Sequence, residues 1–324
     1  MPLLASSSFT PAFHLPSGHQ QTIWPALTRK VPRITLERER LELADGDFLD
    51  LDWAKNQHPR LVILTHGLEG SSLDASIQGM ARCFMENQWD VLAWNLRGCS
   101  GTLNRLPRFY HSGATEDLAA VIESILTSGD YQKIALVGFS LGGNLQLKYL
   151  GDLGEQIDPR IAGAVAFSVP CDLASSVASL DHPRNRLYTR RFMKKLTSKI
   201  RAKQRVFPQV IDLAGLERVH TFQEFDSRFT APLNGFASSA EYWERSSCLP
   251  VLTKIAVPTL LVNALDDPFL APACYPRKSA EESSHFYLEC PAAGGHCGFV
   301  SSGKSNRLWS ERRALEFLSG CIST

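Results

Sequence analysis

One hexapeptide, GFSLGG (138–143), carries the clearest chemical signal in the chain. It has the pattern G-x-S-x-G, with Ser140 two residues after Gly138 and two before Gly142. An apolar run precedes it and a helical pattern follows, which would place the serine at a sharp turn and at a helix N-terminus. The helix dipole favours developing negative charge there, and the glycines allow close approach of neighbouring backbones. The motif predicts that Ser140 is a nucleophile.

A serine nucleophile needs a base, because its hydroxyl is barely ionised at neutral pH. Among the nine histidines, His296 lies in PAAGGHCGF (291–299), a glycine-rich stretch after the last predicted strand. Such a loop can carry an imidazole to the serine, so its place in the chain predicts that His296 is the base. His111 is a candidate for contact with the substrate or with the catalytic residues, and a packing or surface role is the alternative.

The acid that orients the histidine should follow the penultimate predicted strand. The segment NALDDPF (263–269) offers two carboxylates there, and only one can take the role. We favour Asp266, which lies nearer the end of the strand, over Asp267, which directly precedes Pro268 and suits a turn. The resulting order Ser, Asp, His is the one expected of an α/β-hydrolase fold.

An attacking serine also needs two backbone N–H groups to stabilise the oxyanion that forms. One should be that of Leu141, directly after the nucleophile. The other is expected in HGLEGSS (66–72), which follows an apolar run, and Leu68 is the predicted donor. An ordinary turn between a strand and a helix is the alternative interpretation of this segment.

The elements that would position these residues follow from the spacing of apolar residues. Short apolar runs predict strands at 61–66, 90–96, 133–139, 161–169, 258–264 and 285–290. Helical patterns lie between them at 73–87, 116–129 and 141–151, and near 308–319. This alternation predicts an α/β fold with a mostly parallel sheet and helices on both faces. An antiparallel hairpin is predicted at 34–54, around Asp45-Gly46.

The length of 324 residues suits a single α/β domain, 1–324. Residues 1–33 contain five prolines, and we expect an irregular segment that wraps over the body. The alternation of strands and helices stops between about 171 and 250. An insertion between two late strands predicts a helical lid or cap.

One stretch of this predicted cap, 182–206, is strongly basic. It holds ten Lys and Arg and no Asp or Glu, so the rest of the chain has 24 basic and 33 acidic residues. A solvated helix face would explain the pattern. Attraction to anionic lipid surfaces or to negatively charged substrates is the sharper hypothesis, with Met193, Leu196 and Ile200 as the apolar stripe of an interfacial helix.

Composition excludes several other classes of protein. A formal net charge of +1 gives no field that would attract nucleic acid. Apolar runs of about 18 residues are missing, which argues against a membrane span, and the N-terminus lacks the pattern of a secretory signal. The eight cysteines are scattered without a CxxC pair, so we expect reduced thiols in a cytoplasmic protein and no metal site.

Several segments together resemble one branch of the α/β-hydrolases, the YheT-like hydrolases or AB hydrolase family 4. The segments are SGHQQTIWP (17–25), THGLEGSS (65–72), NLRGCSG (95–101), YHSGATEDL (110–118), GFSLGGN (138–144), NALDDPF (263–269) and GGHCGF (294–299). The resemblance implies a charge relay of Ser140, Asp266 and His296. It also implies hydrolysis of carboxylic esters, with acyl esters or lipids as the substrate class.

These expectations combine into a serine esterase that cleaves short- to medium-chain acyl esters or lipids. The reaction would pass through an acyl-enzyme and would need no metal or organic cofactor. A thioesterase or amidase with the same triad is the nearest alternative. A binding protein on a hydrolase scaffold is the non-enzymatic one.

Overall fold

The computed structural model describes residues 3–4, 6–302 and 307–322. Its centre is an eight-stranded sheet in the order β1-β2-β4-β3-β5-β6-β7-β8. The strands are β1 (Glu37–Glu42), β2 (Phe48–Ala54), β3 (Arg60–Thr65), β4 (Asp90–Asn95), β5 (Lys133–Phe139), β6 (Ile161–Phe167), β7 (Thr259–Val262) and β8 (Phe286–Glu289). The hairpin β1–β2 and the β2–β4 pair are antiparallel, and every other pair in the sheet is parallel.

The central strands are largely apolar, as strands covered by helices on both faces of a sheet are. In β3, Leu61 and Ile63 belong to one buried cluster and Val62 and Leu64 to the other, as the alternation of side chains along a strand requires. Helices α3 and α4 pack on the first face, and α2 and α11 on the second. The predicted α/β-hydrolase fold is confirmed.

Eleven α-helices are assigned within the described residues. They are α1 (Gly18–Thr28), α2 (Ala75–Met85), α3 (Thr115–Ser128), α4 (Leu141–Leu153), α5 (Leu173–Asp181), α6 (Arg186–Val206), α7 (Phe222–Phe225), α8 (Ala231–Leu233), α9 (Ser239–Ser246), α10 (Arg277–Glu282) and α11 (Trp309–Ile322). Helices α5 to α9 lie between β6 and β7, the stretch predicted to be a cap, and β7 pairs directly with β6. No helix of the described part of the chain is both long and apolar enough to cross a membrane.

The expectation that residues 1–33 are irregular is wrong for α1. Ser17 caps this helix: its hydroxyl accepts from the N–H of Gln20, and the Gln20 side chain accepts from the N–H of Ser17. The reciprocal pair satisfies two N–H groups that a helix start leaves without partners. Of the five prolines, only Pro25 falls within the helix, so the others do not oppose it.

Candidate active site

The predicted nucleophile lies at the junction of β5 and α4. The backbone of Ser140 has φ 53° and ψ −119°, a left-handed conformation that a residue with a side chain rarely adopts. Its N–H donates to the carbonyl oxygen of Phe167 at 2.8 Å, which ties the turn to β6. Strain of this kind persists only where the surroundings enforce it, and it concentrates at functional sites.

The two glycines of the motif are required by close packing. A Cβ on Gly142 would lie 2.4 Å from the carbonyl oxygen of His66, and one on Gly138 would lie 2.7 Å from the Cα of Gly143. Neither position has room for a side chain. Glycine is required at both positions because α4 packs closely against the end of β3 and against β5, the strand that precedes it.

Three side chains form a continuous hydrogen-bonded line. The Nε2 of His296 lies 3.0 Å from the Oγ of Ser140, and its Nδ1 lies 2.9 Å from the Oδ2 of Asp267. The serine and histidine come from positions 156 residues apart, and the structure brings them together. Because an ionised carboxylate can only accept, Nδ1 carries the proton and donates it to Asp267, and in the neutral ring Nε2 can accept from the hydroxyl of Ser140.

The preference for Asp266 over Asp267 as the partner of His296 is corrected by this geometry. The side chain of Asp267 is fully buried against the imidazole, whereas Oδ1 of Asp266 accepts from the N–H of Gly295 at 2.8 Å. Proximity to the end of β7 did not identify the acid, because the side chains of Asp266 and Asp267 point in different directions from the same turn. Asp267 does stand in a turn before Pro268, but that turn aims its carboxylate at the histidine.

The charge of Asp267 sets the protonation of His296. The imidazole is almost enclosed, with a side-chain exposure of 11%. Burial alone would lower the pKa of His296, but the adjacent carboxylate of Asp267 outweighs burial and raises that pKa above its ordinary value of 6.5. A carboxylate in this position favours the protonated form of the imidazole.

Helix α1 supports the loop that carries His296. The hydroxyl of Thr22 accepts from the N–H of His296 at 2.8 Å. The fully buried side chain of Gln21 accepts from the N–H of Val300 at 2.8 Å and donates to the carbonyl oxygen of Leu15 at 3.1 Å. The segment SGHQQTIWP (17–25) had no predicted role beyond its part in the family resemblance, and these contacts give it one.

Both predicted oxyanion donors, Leu68 and Leu141, line the same cavity as Ser140. Leu141 is the first residue of α4, so its N–H lies in the turn where helical N–H groups have no partner within the helix. Leu68 lies in the loop after β3, next to Glu69, whose φ is 53°. Both residues therefore lie beside Ser140, as their predicted role as oxyanion donors requires.

Helix α6 holds that loop through Glu69. The Nζ of Lys199 lies 2.5 Å from Oε1 of Glu69, and the Nζ of Lys195 donates to its carbonyl oxygen at 2.9 Å. The hydroxyl of Tyr110 accepts from the Glu69 N–H and donates to its carboxylate, each at 2.8 Å. Sequence reasoning missed this network, since its members are up to 130 residues apart.

The cavity beside Ser140 is largely apolar and is shared between the sheet and the helices that follow β6. Its walls include Leu173, Val177, Leu180, Leu196, Phe222 and Phe225. His111 lines it too, and burial lowers the pKa of this histidine to about 4, so the ring is neutral. The carboxyl of Asp226 is buried at the wall, accepts from Trp243 at 2.8 Å and has a pKa that burial raises to about 6.

The apolar stripe proposed for an interfacial α6 faces the protein interior. Met193, Leu196 and Ile200 are 5%, 3% and 0% exposed, so they cannot insert into lipid while the helix is packed as it is. The hypothesis of an interfacial stripe on these three residues is therefore wrong. As for metals, no three His, Cys, Asp or Glu side chains within the described ranges are grouped so as to hold an ion.

Comparisons with known proteins identify the family to which this fold belongs. The profile of the α/β-hydrolase fold family matches residues 60–302. YheT of Escherichia coli, described as a candidate esterase, is 34% identical over 97% of this chain and 94% of its own. The phospholipase ABHD3 of Mus musculus is 29% identical over 92% of this chain and 74% of its own. The solved Pyrococcus furiosus esterase Pf2001 superposes with a TM-score of 0.60 at 17% identity, covering 90% of this chain and 96% of that one.

Proposed function

Since this chain belongs to the α/β-hydrolase fold family and is an ester hydrolase, we propose that it cleaves short- to medium-chain acyl esters or lipids through Ser140, His296 and Asp267. The line of hydrogen bonds from the Oγ of Ser140 through the imidazole to the buried carboxylate carries the proposal. It joins a nucleophile, a base and an orienting acid in the distances that proton transfer needs.

Acylation begins when the Oγ of Ser140 attacks the carbonyl carbon of the ester. The Nε2 of His296 takes the hydroxyl proton, and Asp267 stabilises the imidazolium. The N–H groups of Leu68 and Leu141 donate to the oxyanion of the tetrahedral intermediate. When that intermediate collapses, His296 protonates the leaving alcohol and the acyl group remains on Ser140 as an ester.

Deacylation repeats the sequence with water as the nucleophile. The neutral His296 takes a proton from the water, whose oxygen attacks the acyl carbon and forms a second oxyanion. Collapse of this intermediate returns the proton to the Oγ of Ser140 and releases the carboxylic acid.

The cavity supports an acyl group as the part of the substrate that is enclosed. Its walls near Ser140 are leucine, valine and phenylalanine side chains, which gain stability by covering an alkyl chain. The similar proteins described as a phospholipase and a candidate esterase point to the same substrate class.

The test is a chain-length series of p-nitrophenyl esters, hydrolysed by the wild type and by Ser140→Ala. We expect Ser140→Ala to lower kcat by about 10⁶-fold, as removal of a serine nucleophile does elsewhere. Ser198→Ala, at an exposed position of α6, is the matched control and should behave as the wild type. Turnover retained by Ser140→Ala would refute the assignment, and parallel thioester and amide substrates would show which acyl derivative is preferred.

A further inference from the structure

An apolar patch covers the outer face of α1 and the turn before it. Trp24 is 49% exposed and Leu27 70%, with Ile23 beside them at 41%. Phe13, which is 90% exposed, joins the patch through His14: its ring lies 5.2 Å from that of His14, which lies 6.0 Å from that of Trp24. Large apolar side chains grouped at a surface indicate a site of interaction.

This patch is continuous with the basic outer face of α6. His19 of α1 stacks on Tyr188 of α6 with ring centres 5.8 Å apart, and their polar atoms lie 3.0 Å apart. The neighbouring Leu187 is 77% exposed. Arg190, Arg191 and Lys194 are exposed and follow Leu187 at intervals of three, four and seven residues, so they share its side of the helix.

The positive charge of this face is not neutralised by the protein. In the described part of the chain, the ion pair that α6 forms is Lys199 with Glu69, and its exposed Arg and Lys side chains form none. Residues outside 182–206 carry nine more acidic than basic side chains. The positive charge of the molecule is therefore concentrated on α6, and the rest of the chain has a net negative charge. Such a molecule turns its basic face towards an anionic surface as it approaches.

We propose that the α1–α6 surface, formed by Phe13, Ile23, Trp24, Leu27, Leu187, Arg190, Arg191 and Lys194, docks on a lipid bilayer that contains anionic head groups. Exposed aromatic and leucine side chains flanked by arginine and lysine suit the boundary between acyl chains and anionic head groups. A second copy of this chain suits the surface poorly, because a two-fold contact would bring the two basic faces together.

Docking there brings the bilayer close to the catalytic histidine. The ring of Tyr188 lies 4.8 Å from that of Phe269, and the ring of Phe269 lies 4.2 Å from that of His296. Two aromatic contacts therefore separate His296 from Tyr188, the residue next to Leu187 of the α1–α6 surface. We therefore expect faster hydrolysis of esters held in a bilayer than of the same esters in solution, an expectation that rests on the proposed function. Binding of the protein to vesicles does not depend on the proposed function.

The first experiment measures flotation with vesicles of phosphatidylcholine alone and of phosphatidylcholine mixed with phosphatidylglycerol. We expect the wild type to bind the anionic vesicles far more tightly. The double variant Trp24→Ser/Leu27→Ser should lose about tenfold or more of that binding. Val210→Ser removes a similarly exposed apolar side chain beyond the far end of α6 and should bind as the wild type.

A charge variant tests the second component of the surface. Neutralising three charges near a membrane, each worth about a fivefold change in affinity, should weaken binding about a hundredfold. The variant is Arg190→Gln/Arg191→Gln/Lys194→Gln. Its control removes three exposed lysines elsewhere on the molecule: Lys133→Gln/Lys254→Gln/Lys278→Gln.

Hydrolysis of a monomeric, water-soluble acetate ester should be unchanged in every variant. If the wild type binds vesicles but hydrolyses no ester, the proposed function is contradicted and the proposed docking surface is not. Equal binding to both kinds of vesicle, or variants that bind as tightly as their controls, would overturn the docking surface. So would a wild-type dimer that Trp24→Ser/Leu27→Ser dissociates, since it would assign the face to a second copy.

Discussion

Two consecutive carboxylates in the loop after β7 have different environments. Asp267 is enclosed with the imidazole of His296, and its Oδ1 also accepts from the N–H of Phe269 at 2.9 Å. Asp266 is half-buried and binds the backbone of Gly295. Asp267 therefore contacts the imidazole of His296 directly, whereas Asp266 binds the backbone of the loop that carries this histidine.

Asp267→Asn should lower kcat/KM for a soluble ester by about 10⁴-fold, because the amide allows the wrong imidazole tautomer. Asp266→Asn is the matched control: its amide oxygen can still accept from Gly295, so kcat/KM should stay within about tenfold of the wild type. Equal losses in the two variants, measured at one pH on folded protein, would contradict the assignment of Asp267.

The pH profile gives the same residue a second test. His296 must be neutral to accept a proton, so activity rises with pH as this imidazole deprotonates. Burial lowers the pKa of His296 and the charge of Asp267 raises it, so removing that charge lowers this pKa. The acidic limb of kcat/KM should therefore shift to lower pH in Asp267→Asn. An unshifted limb would mean that Asp267 does not set this pKa.

At the scale of elements, α6 contacts the loop after β3, which holds Leu68 and Glu69, through one buried ion pair. The side chains of Lys199 and Glu69 are 10% and 7% exposed. Lys199→Met should lower kcat by about tenfold to a hundredfold, a part of what loss of one oxyanion donor costs, because Glu69 is left without its cation and Leu68 shifts. KM should change little, since the apolar cavity is untouched.

The control for this positioning role is Lys194→Met, on the exposed side of the same helix. It should leave both constants for a soluble ester unchanged. The double variant Lys199→Met/Glu69→Gln should recover part of kcat, because no unpaired carboxylate remains. A kcat for Lys199→Met equal to that of Lys194→Met would show that the ion pair does not position the loop.

The elements themselves were largely predictable from local sequence. Apolar runs and helical spacing predicted the strands of the sheet and the helices α2, α3, α4 and α11, but not α10. Helix α1 was missed because the prolines around it outweighed the short capping pattern of Ser17 and Gln20. The contact of Lys199 with Glu69 was not predictable, because periodicity carries no information on pairs so far apart.

The candidate site, like the fold, has residues that the sequence could predict and residues that it could not. The motif around Ser140 and the order along the chain were enough to select Ser140 and His296 for one site. They could not separate Asp266 from Asp267, which differ in side-chain direction and not in residue type. Likewise, the basic stretch 182–206 was visible in the sequence, but only packing shows that its apolar stripe faces inwards.

At the scale of the whole molecule, the cavity exists because two layers meet. Ser140 and Leu141 come from the sheet side, and Leu173 and Val177 come from α5, in the stretch between β6 and β7. The sheet side holds Ser140 in its strained turn, while helices after β6 supply most of the apolar wall. Substitutions in α5 should therefore change which acyl-chain length of the ester is preferred, without changing the reaction at Ser140.

Val177→Phe adds a ring to the wall of the cavity, and it tests whether α5 sets the acyl-chain preference separately from the reaction at Ser140. It should lower kcat/KM for octanoyl esters by about tenfold or more, because a few lost methylene contacts cost that much, while acetyl esters react as before. Ala178→Phe adds the same ring at an exposed position of α5 and should change neither ester. Equal losses for acetyl and octanoyl esters in Val177→Phe would instead indicate a disturbed site, and the acyl chain would have to lie elsewhere.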